Sequence, residues 1–211
     1  MSRPTAAAAA QRDDRLLKIA TDMFLKHGFD GTSMERLAES SMIGKATLYA
    51  RYADKSALFA DVLRRRILVV FTPLEEELGE ELTGESLEGT LLVVARRLLE
   101  LSLSPSSLAL TRILIAQSTR FPELGKLAVQ EGSQRQTQIL EKILIRFSSM
   151  HRYTTDDLSL AADLFLSMVL GRVAQMALLG FVRHPDALER RTSEAVRIFV
   201  RGLLDEKKVK K

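Results

Sequence analysis

Residues 32–55 read T-S-M-E-R-L-A-E-S-S-M-I-G-K-A-T-L-Y-A-R-Y-A-D-K. Thr32 and Glu35 have the T-x-x-E spacing of a capping box, in which hydroxyl and carboxylate satisfy free backbone N–H groups at a helix start. Met34, Leu37 and Ala38 then fall on one face of that helix. Ser40, Ser41 and Met42 make a turn, and Ile43 is an apolar plug between two helices. The second helix, predicted over Lys45 to Arg51, buries Leu48 and then Tyr52, and leaves Lys45, Thr47, Tyr49 and Arg51 on its other faces. Two short helices joined by a tight turn, the second with an exposed polar and basic face, suit a DNA major groove.

Working outward, residues 12–72 resemble the DNA-binding domain of the tetracycline-repressor (TetR) family of bacterial transcription regulators. The resemblance is carried by Ala20, Phe24, Gly28, Phe29, Thr32 and Ser33, by Leu37, Ala38 and Ile43, and above all by K-A-T-L-Y-A-R-Y-A-D-K-S-A-L at 45–58. The family pattern over that last piece is roughly K-G-T-L-Y-x-Y-F-x-S-K-E-x-L. Two departures stand out. Met42 occupies a turn position where the family usually has glycine, because the backbone there favours positive φ; methionine there either costs about 1 kcal/mol or shifts the turn geometry. Arg51 replaces the second aromatic, and either adds a DNA contact or points to water. The resemblance implies an all-α fold, with a three-helix helix-turn-helix domain followed by a helical ligand-binding and dimerisation domain. It also implies Lys45, Ala46 and Thr47 near base edges, with Thr32, Ser33, Tyr49 and Lys55 on phosphates and Arg51 undecided.

On either side of the motif the pattern stays helical. Residues 1–11 read as an arm with an alanine run, and a frayed terminus accounts for it better than a reach into a minor groove. A first helix is predicted from Asp13 to His27 on the stripe Leu16, Ile19, Ala20, Met23 and Phe24. Asp13 and Asp14 suit its positive end, and Gly28 closes it in the left-handed conformation. Asp54 caps a fourth helix with Lys55 in its first turn, and Pro73 marks a bend or a break. In the family such a helix transmits ligand binding to the reading head.

Residues 73–89 are acidic and carry three glycines. A carboxylate metal site there would need Glu-x-x-His partners that the chain lacks, so no metal and no cofactor is expected. Further helices are predicted over 86–103, 106–119, 122–150 (broken near Gly132), 155–180 and 186–206, giving a second domain over 73–206 and a basic tail at 207–211. The piece L-T-R-I-L-I-A-Q-S-T-R-F-P-E-L-G-K at 110–126 is similar to a C-terminal motif of the AefR-like subgroup of the family.

The predicted helix at 155–180 is apolar on two faces. One carries Leu158, Ala162, Phe165, Val169, Met176 and Leu179, and the other Leu160, Leu164, Ser167, Gly171, Ala174 and Leu178. One face packs on its own core; the other, with small residues at its middle, needs a partner helix. With Ala195 and Phe199 of the last helix it forms the expected homodimer contact, which is also the family's arrangement. Arg172 reads as a structural ion pair, with Asp163 or Glu189 in reach, or as an anchor for an anionic or carbonyl-bearing ligand. Phe71, Leu92, Arg96, Ile113, Gln117, Phe121, Phe165, Met168, Arg172 and Met176 are the expected lining of a pocket for a small, mostly apolar ligand.

Composition narrows the class. The chain of 211 residues is 46% hydrophobic and 27% charged, with a formal charge of +4. Four lysines of the tail K-K-V-K-K account for that excess, and residues 1–55 hold nine Lys/Arg against seven Asp/Glu. Affinity for DNA therefore rests on where a few groups stand. There is no cysteine, compatible with a cytoplasmic protein. The longest apolar run, Phe165–Val182, is broken by Arg172 and Gln175 and reads as a buried helix, so no membrane partner is expected. The chain lacks a G-x-S-x-G elbow and a phosphate-binding glycine loop, and His27, His151 and His184 stand far apart. An enzyme is not expected. The expected function is a regulator, most simply a repressor released from a palindromic operator by a ligand, with a ligand-independent DNA-binding protein or an activator as the alternative.

Overall fold

The structure is a computed structural model that describes residues 6–80 and 86–204. Eleven α-helices occur among the described residues: α1 (Ala6–His27), α2 (Met34–Ser41), α3 (Lys45–Arg51), α4 (Lys55–Glu80), α5 (Leu87–Leu103), α6 (Pro105–Gln117), α7 (Pro122–Leu127), α8 (Gln134–Phe147), α9 (Leu158–Leu166), α10 (Arg172–Leu178) and α11 (Pro185–Leu203). Two π turns, Ala128–Ser133 and Ser167–Gly171, join α7 to α8 and α9 to α10. The all-α expectation holds, and no strand occurs among these residues beyond an isolated bridge from Tyr153 to Leu204.

Three local expectations are corrected. The first helix begins at Ala6, so residues 6–11 of the expected arm are helical; an alanine run has the highest helix propensity of any sequence. Residues 1–5 of the arm, residues 81–85 of the acidic stretch and the tail 207–211 lie outside the described residues. Pro73 does not stop α4, which runs on to Glu80. The helical region expected over 155–180 starts at Leu158, capped by Asp157, whose carboxylate accepts the Leu160 N–H at 2.9 Å, while Thr155 accepts the Asp157 N–H.

The described residues form two compact units, and these do not follow a linear division at residue 73. One unit comprises Met1–Phe71 with Ala109–Glu131, and the other Thr72–Leu108 with Gly132–Lys211. In the first, Leu16, Ala20 and Phe24 of α1 meet Leu37 and Ala38 of α2, Leu48 and Tyr52, and Leu58, Phe59 and Val62 of α4. Phe24 lies 4.9 Å from Phe59, edge to face, and both rings are fully buried. Leu110, Leu124 and Leu127 complete this core, and Phe121 packs on Phe29 with centroids 5.5 Å apart. The segment that resembles the C-terminal motif of a subgroup therefore packs into the reading head.

In the second unit α8 packs on α9, and α11 packs on α5, α9 and the second π turn. Its core joins Leu91, Val94 and Leu98 to Ile139, Ile143, Phe147, Phe165, Val169, Val196 and Phe199. The span Leu158–Leu178 is long and apolar enough to cross a membrane by length and composition. Ala161, Ala162, Phe165, Val169, Val173 and Ala177 line its buried face, which is that of a core helix.

Candidate nucleic-acid interface

The N-cap of α2 is Ser33, not Thr32. Its backbone is extended, and its hydroxyl accepts the Arg36 N–H at 3.2 Å. Thr32 is buried, with its hydroxyl donated to the Gly28 carbonyl at 2.8 Å, so it joins the end of α1 to the start of α2. Glu35 is thereby freed from the expected capping box and accepts the Tyr49 hydroxyl of α3 at 2.9 Å. That bond raises the Tyr49 pKa, while the Glu35 carboxyl is held low by its own backbone N–H and by Tyr49.

Met42 closes α2 at φ 57°, ψ 32°, the left-handed conformation that its place in the sequence implied. Its N–H bonds the Glu39 carbonyl and the Ile43 N–H bonds the Ala38 carbonyl, the reciprocal pair of a Schellman ending. The turn keeps its shape with a side chain where glycine is easier, and that side chain points into solvent, 74% exposed. Gly28 closes α1 in the same way at φ 70°.

From this turn α3 projects Lys45, Ala46, Thr47, Tyr49 and Arg51 outward, while Leu48, 1% exposed, anchors the helix in the core. Tyr52 follows it inward. Its hydroxyl donates to Asp61 at 3.0 Å, and burial with that carboxylate pushes its pKa up to about 12. Arg51 does not point freely to water. It forms an ion pair with Asp13 of α1 and lies over the Tyr52 ring at 5.3 Å. Asp13, expected at the positive end of α1, sits about two turns inside that helix because the helix starts at Ala6.

Lys55 departs most from expectation. Its ammonium donates to the carbonyls of Phe29 at 2.5 Å and Thr32 at 2.8 Å and sits 4.5 Å from the Phe29 ring centroid. Burial lowers its pKa. The N–H groups at the start of α4, a potential phosphate site, are served by Asp54, which accepts from Ala57 N at 2.9 Å and Ser56 Oγ at 2.6 Å. Lys55 and Thr32 hold the frame of the motif through these bonds.

Comparison with known proteins places this geometry. Residues 16–62 match the family model for bacterial regulatory proteins of the tetR family, and residues 89–202 match the AefR-like transcriptional repressor C-terminal domain. The chain belongs to the TetR family. That family consists of transcriptional regulators and not of enzymes. A TetR-family regulator from Mesorhizobium loti superposes with a TM-score of 0.84 at 28% identity, over 93% of this chain and 98% of that one. The flavonoid-responsive regulator FrrA superposes at 0.74 with 27% identity, over 93% and 99%. In sequence, the repressor SCO4008 of Streptomyces coelicolor is 35% identical over 54 residues, 26% of this chain and 28% of that protein. The regulator RutR of Escherichia coli is 32% identical over 68 residues, 32% of each chain. The matches to these two thus span about a third or less of their lengths, whereas SrpR of Pseudomonas putida is 26% identical over 171 residues, 80% of this chain and 73% of SrpR.

In this TetR-family chain the expected pocket residues are distributed over both units. Ile113 and Phe121 pack against the core of the first unit, Gln117 belongs to that unit, and Phe71 is buried at its last residue before α4 leaves it. In the second unit Phe165 is buried against Phe199, with centroids 4.9 Å apart. Arg96 is exposed and paired with Glu189. Arg172 is also exposed and has no hydrogen-bond or ion-pair partner among the described residues, so it is neither the buried anchor nor the structural ion pair expected. Leu92, Met168 and Met176 are half-buried. One half-buried arginine contact of this unit the sequence did not announce: Arg191 of α11 donates to the Met168 carbonyl at 2.9 Å, within the π turn.

The dimer residues divide too. Leu160 and Leu164 are about half exposed, Ser167 and Gly171 are exposed, and Ala174 and Leu178 are intermediate. Ala195 and Phe199 are buried in their own unit; Ile198, 50% exposed, is the apolar residue that α11 presents. Leu179, Phe181 and Val182 add exposed apolar surface after α10. Among the described residues no group of three or more His, Asp or Glu side chains is placed to hold a metal.

Proposed function

We propose that this regulator is a homodimeric repressor that reads a near-palindromic operator and is released from it by a small, mostly apolar ligand bound in its second unit. The observation that carries the DNA-reading part is α3, whose Leu48 is locked into the core while Lys45, Ala46 and Thr47 stand exposed beside one another. A rigid anchor with a polar outer face is what base-edge readout needs, and the Thr47 methyl or Ala46 suits a thymine methyl. Tyr49 and Ser33 serve phosphates and fix the register.

The second copy docks on the face of Leu160, Leu164, Ser167 and Gly171, together with Ile198. A Cβ added at Gly171 would meet nothing within 4 Å, so the surface is open to close approach by another helix. Ligand release is supported by the match to a repressor C-terminal domain and by the likeness to a regulator named flavonoid-responsive. Leu92, Met168 and Met176 are the second-unit residues left to line such a site. Ligand leverage equals its differential affinity for the DNA-bound and released conformations. The site of action is the bacterial cytoplasm, where the operator lies.

Selection of bound duplexes from a random pool tests the proposal. Enrichment of an inverted repeat supports the dimeric reader, and compounds are then screened for release of that duplex. No enriched sequence, with binding that collapses steeply as salt rises, would reduce the protein to a nonspecific phosphate binder. An operator that no compound releases would make it a constitutive regulator.

A further inference from the structure

A groove beside the recognition helix is lined by Arg12, Asp13 and Arg15 of α1, by Gly44 and Thr47, and by Arg51. Arg12 and Arg15 are exposed and have no hydrogen-bond or ion-pair partner among the described residues. Arg51 is the third guanidinium there, and the lone carboxylate, Asp13, is bonded to it. We propose that Asp13 is a brake on DNA binding: it occupies Arg51 in the free protein, and a backbone phosphate of the duplex displaces it when the reading head docks. This rests on the reading of α3 as the DNA-facing helix and adds a residue that sets affinity.

The groove contains Thr47, so it adjoins the face assigned to base edges, and the flanking sugar-phosphate strand is the ligand it meets. A duplex carries one negative charge per about 1.7 Å of its axis, and three guanidiniums, each able to grip two phosphate oxygens, suit that strand. Asp13 alone opposes it. The side chains of Arg51 and Asp13 are 40% and 42% exposed, so their bond is solvent-screened and yields to a competing anion. Asp14, the next residue, is directed elsewhere. It pairs with Arg65 of α4 and does not line the groove.

Arg51 must leave Asp13 before it meets a phosphate, so in the wild type breaking that pair offsets part of the gain from the phosphate. Asp13→Asn removes the competitor. The expected result is binding tighter by about three- to tenfold at low salt, a gain that shrinks as rising salt screens the pair. In an Arg51→Gln background the same Asp13→Asn change should give a clearly smaller gain, since only the repulsion between Asp13 and the strand is then removed, and Asp14→Asn should fall short of Asp13→Asn. Asp13→Ser carries the test if the asparagine variant melts early. Titrations use both the selected operator and a random-sequence duplex, because a phosphate contact acts on each alike. A wild-type protein without sequence preference would count against the regulator reading only, and the variant-to-wild-type ratio on the random duplex still decides this one. Unchanged or weaker binding by Asp13→Asn, or an equal gain in the Arg51→Gln background, would overturn the brake.

Discussion

The two compact units leave different things unsatisfied. The first gathers its rings into one core: Phe24, Phe29, Phe59 and Phe121 interlock, and three leucines from 109–131 complete it. Around the recognition helix it leaves polar groups open, Lys45, Thr47, Arg12 and Arg15, with Tyr49 and Arg51 tethered to carboxylates, while Leu68, Val69, Ile115 and Val129 stand exposed elsewhere on it. The second unit pairs Arg135 with Glu75 at 2.6 Å and Arg96 with Glu189, and leaves apolar side chains in water: Leu160, Leu164, Leu179, Phe181, Val182 and Ile198. In the proposed function, the cations and hydroxyls beside α3 meet a polyanion, and the exposed stripe of leucines around Gly171 meets a second copy of the chain.

Removing an aromatic from the first core should break that contrast most severely. Phe24→Ala is expected to destabilise the chain by about 3–5 kcal/mol, read from denaturant unfolding, because a fully buried ring leaves a cavity that neighbours fill poorly. Leu164→Asp should do the reverse, leaving protomer folding nearly intact while weakening self-association by about a hundredfold in sedimentation, as a charge is forced into an apolar contact. A Leu164→Asp protein that stays dimeric at low concentration would refute the assigned face.

Smaller effects sharpen the comparison within the reading head. Tyr52 is neutral in the fold up to about pH 12, against an ordinary tyrosine value of 10. Its stabilising contribution is therefore complete below pH 10 and lost as pH rises from 10 to 12. Wild type should exceed Tyr52→Phe by on the order of 1 kcal/mol at neutral pH, and that margin should vanish over this window in pH-dependent unfolding. Tyr49→Phe is expected to weaken binding about fivefold on every duplex, by loss of one phosphate hydrogen bond, whereas Thr47→Ala should change the preferred sequence. A Thr47→Ala selection profile identical to wild type would remove Thr47 from base readout. Met42→Gly should raise the melting temperature slightly, for a gain of about 0.5–1 kcal/mol, since the left-handed residue no longer carries a Cβ.

The sequence by itself determined the all-α class, the bounds of α3, the left-handed closure at Gly28, the Asp54 cap and the apolar stripe of α1. Each depends on side chains a few residues apart, where helical period and capping chemistry are local. It also exposed the two-faced character of Leu158–Leu178, because an all-round apolar helix is visible in one dimension. Only the tertiary structure decided which groups meet across elements. Ser33 and not Thr32 caps α2, because Thr32 is drawn to the carbonyl of Gly28, and Lys55 turns inward to two carbonyls and a phenyl ring. Asp13 reaches Arg51 across 38 residues, a distance no periodicity encodes. The allocation of 109–131 to the first unit, and of Phe199 to the core of the second, likewise depends on which faces find complementary volume. Packing of that kind is a property of the whole chain, and it is what separates the residues that hold this reading head together from those left free to read.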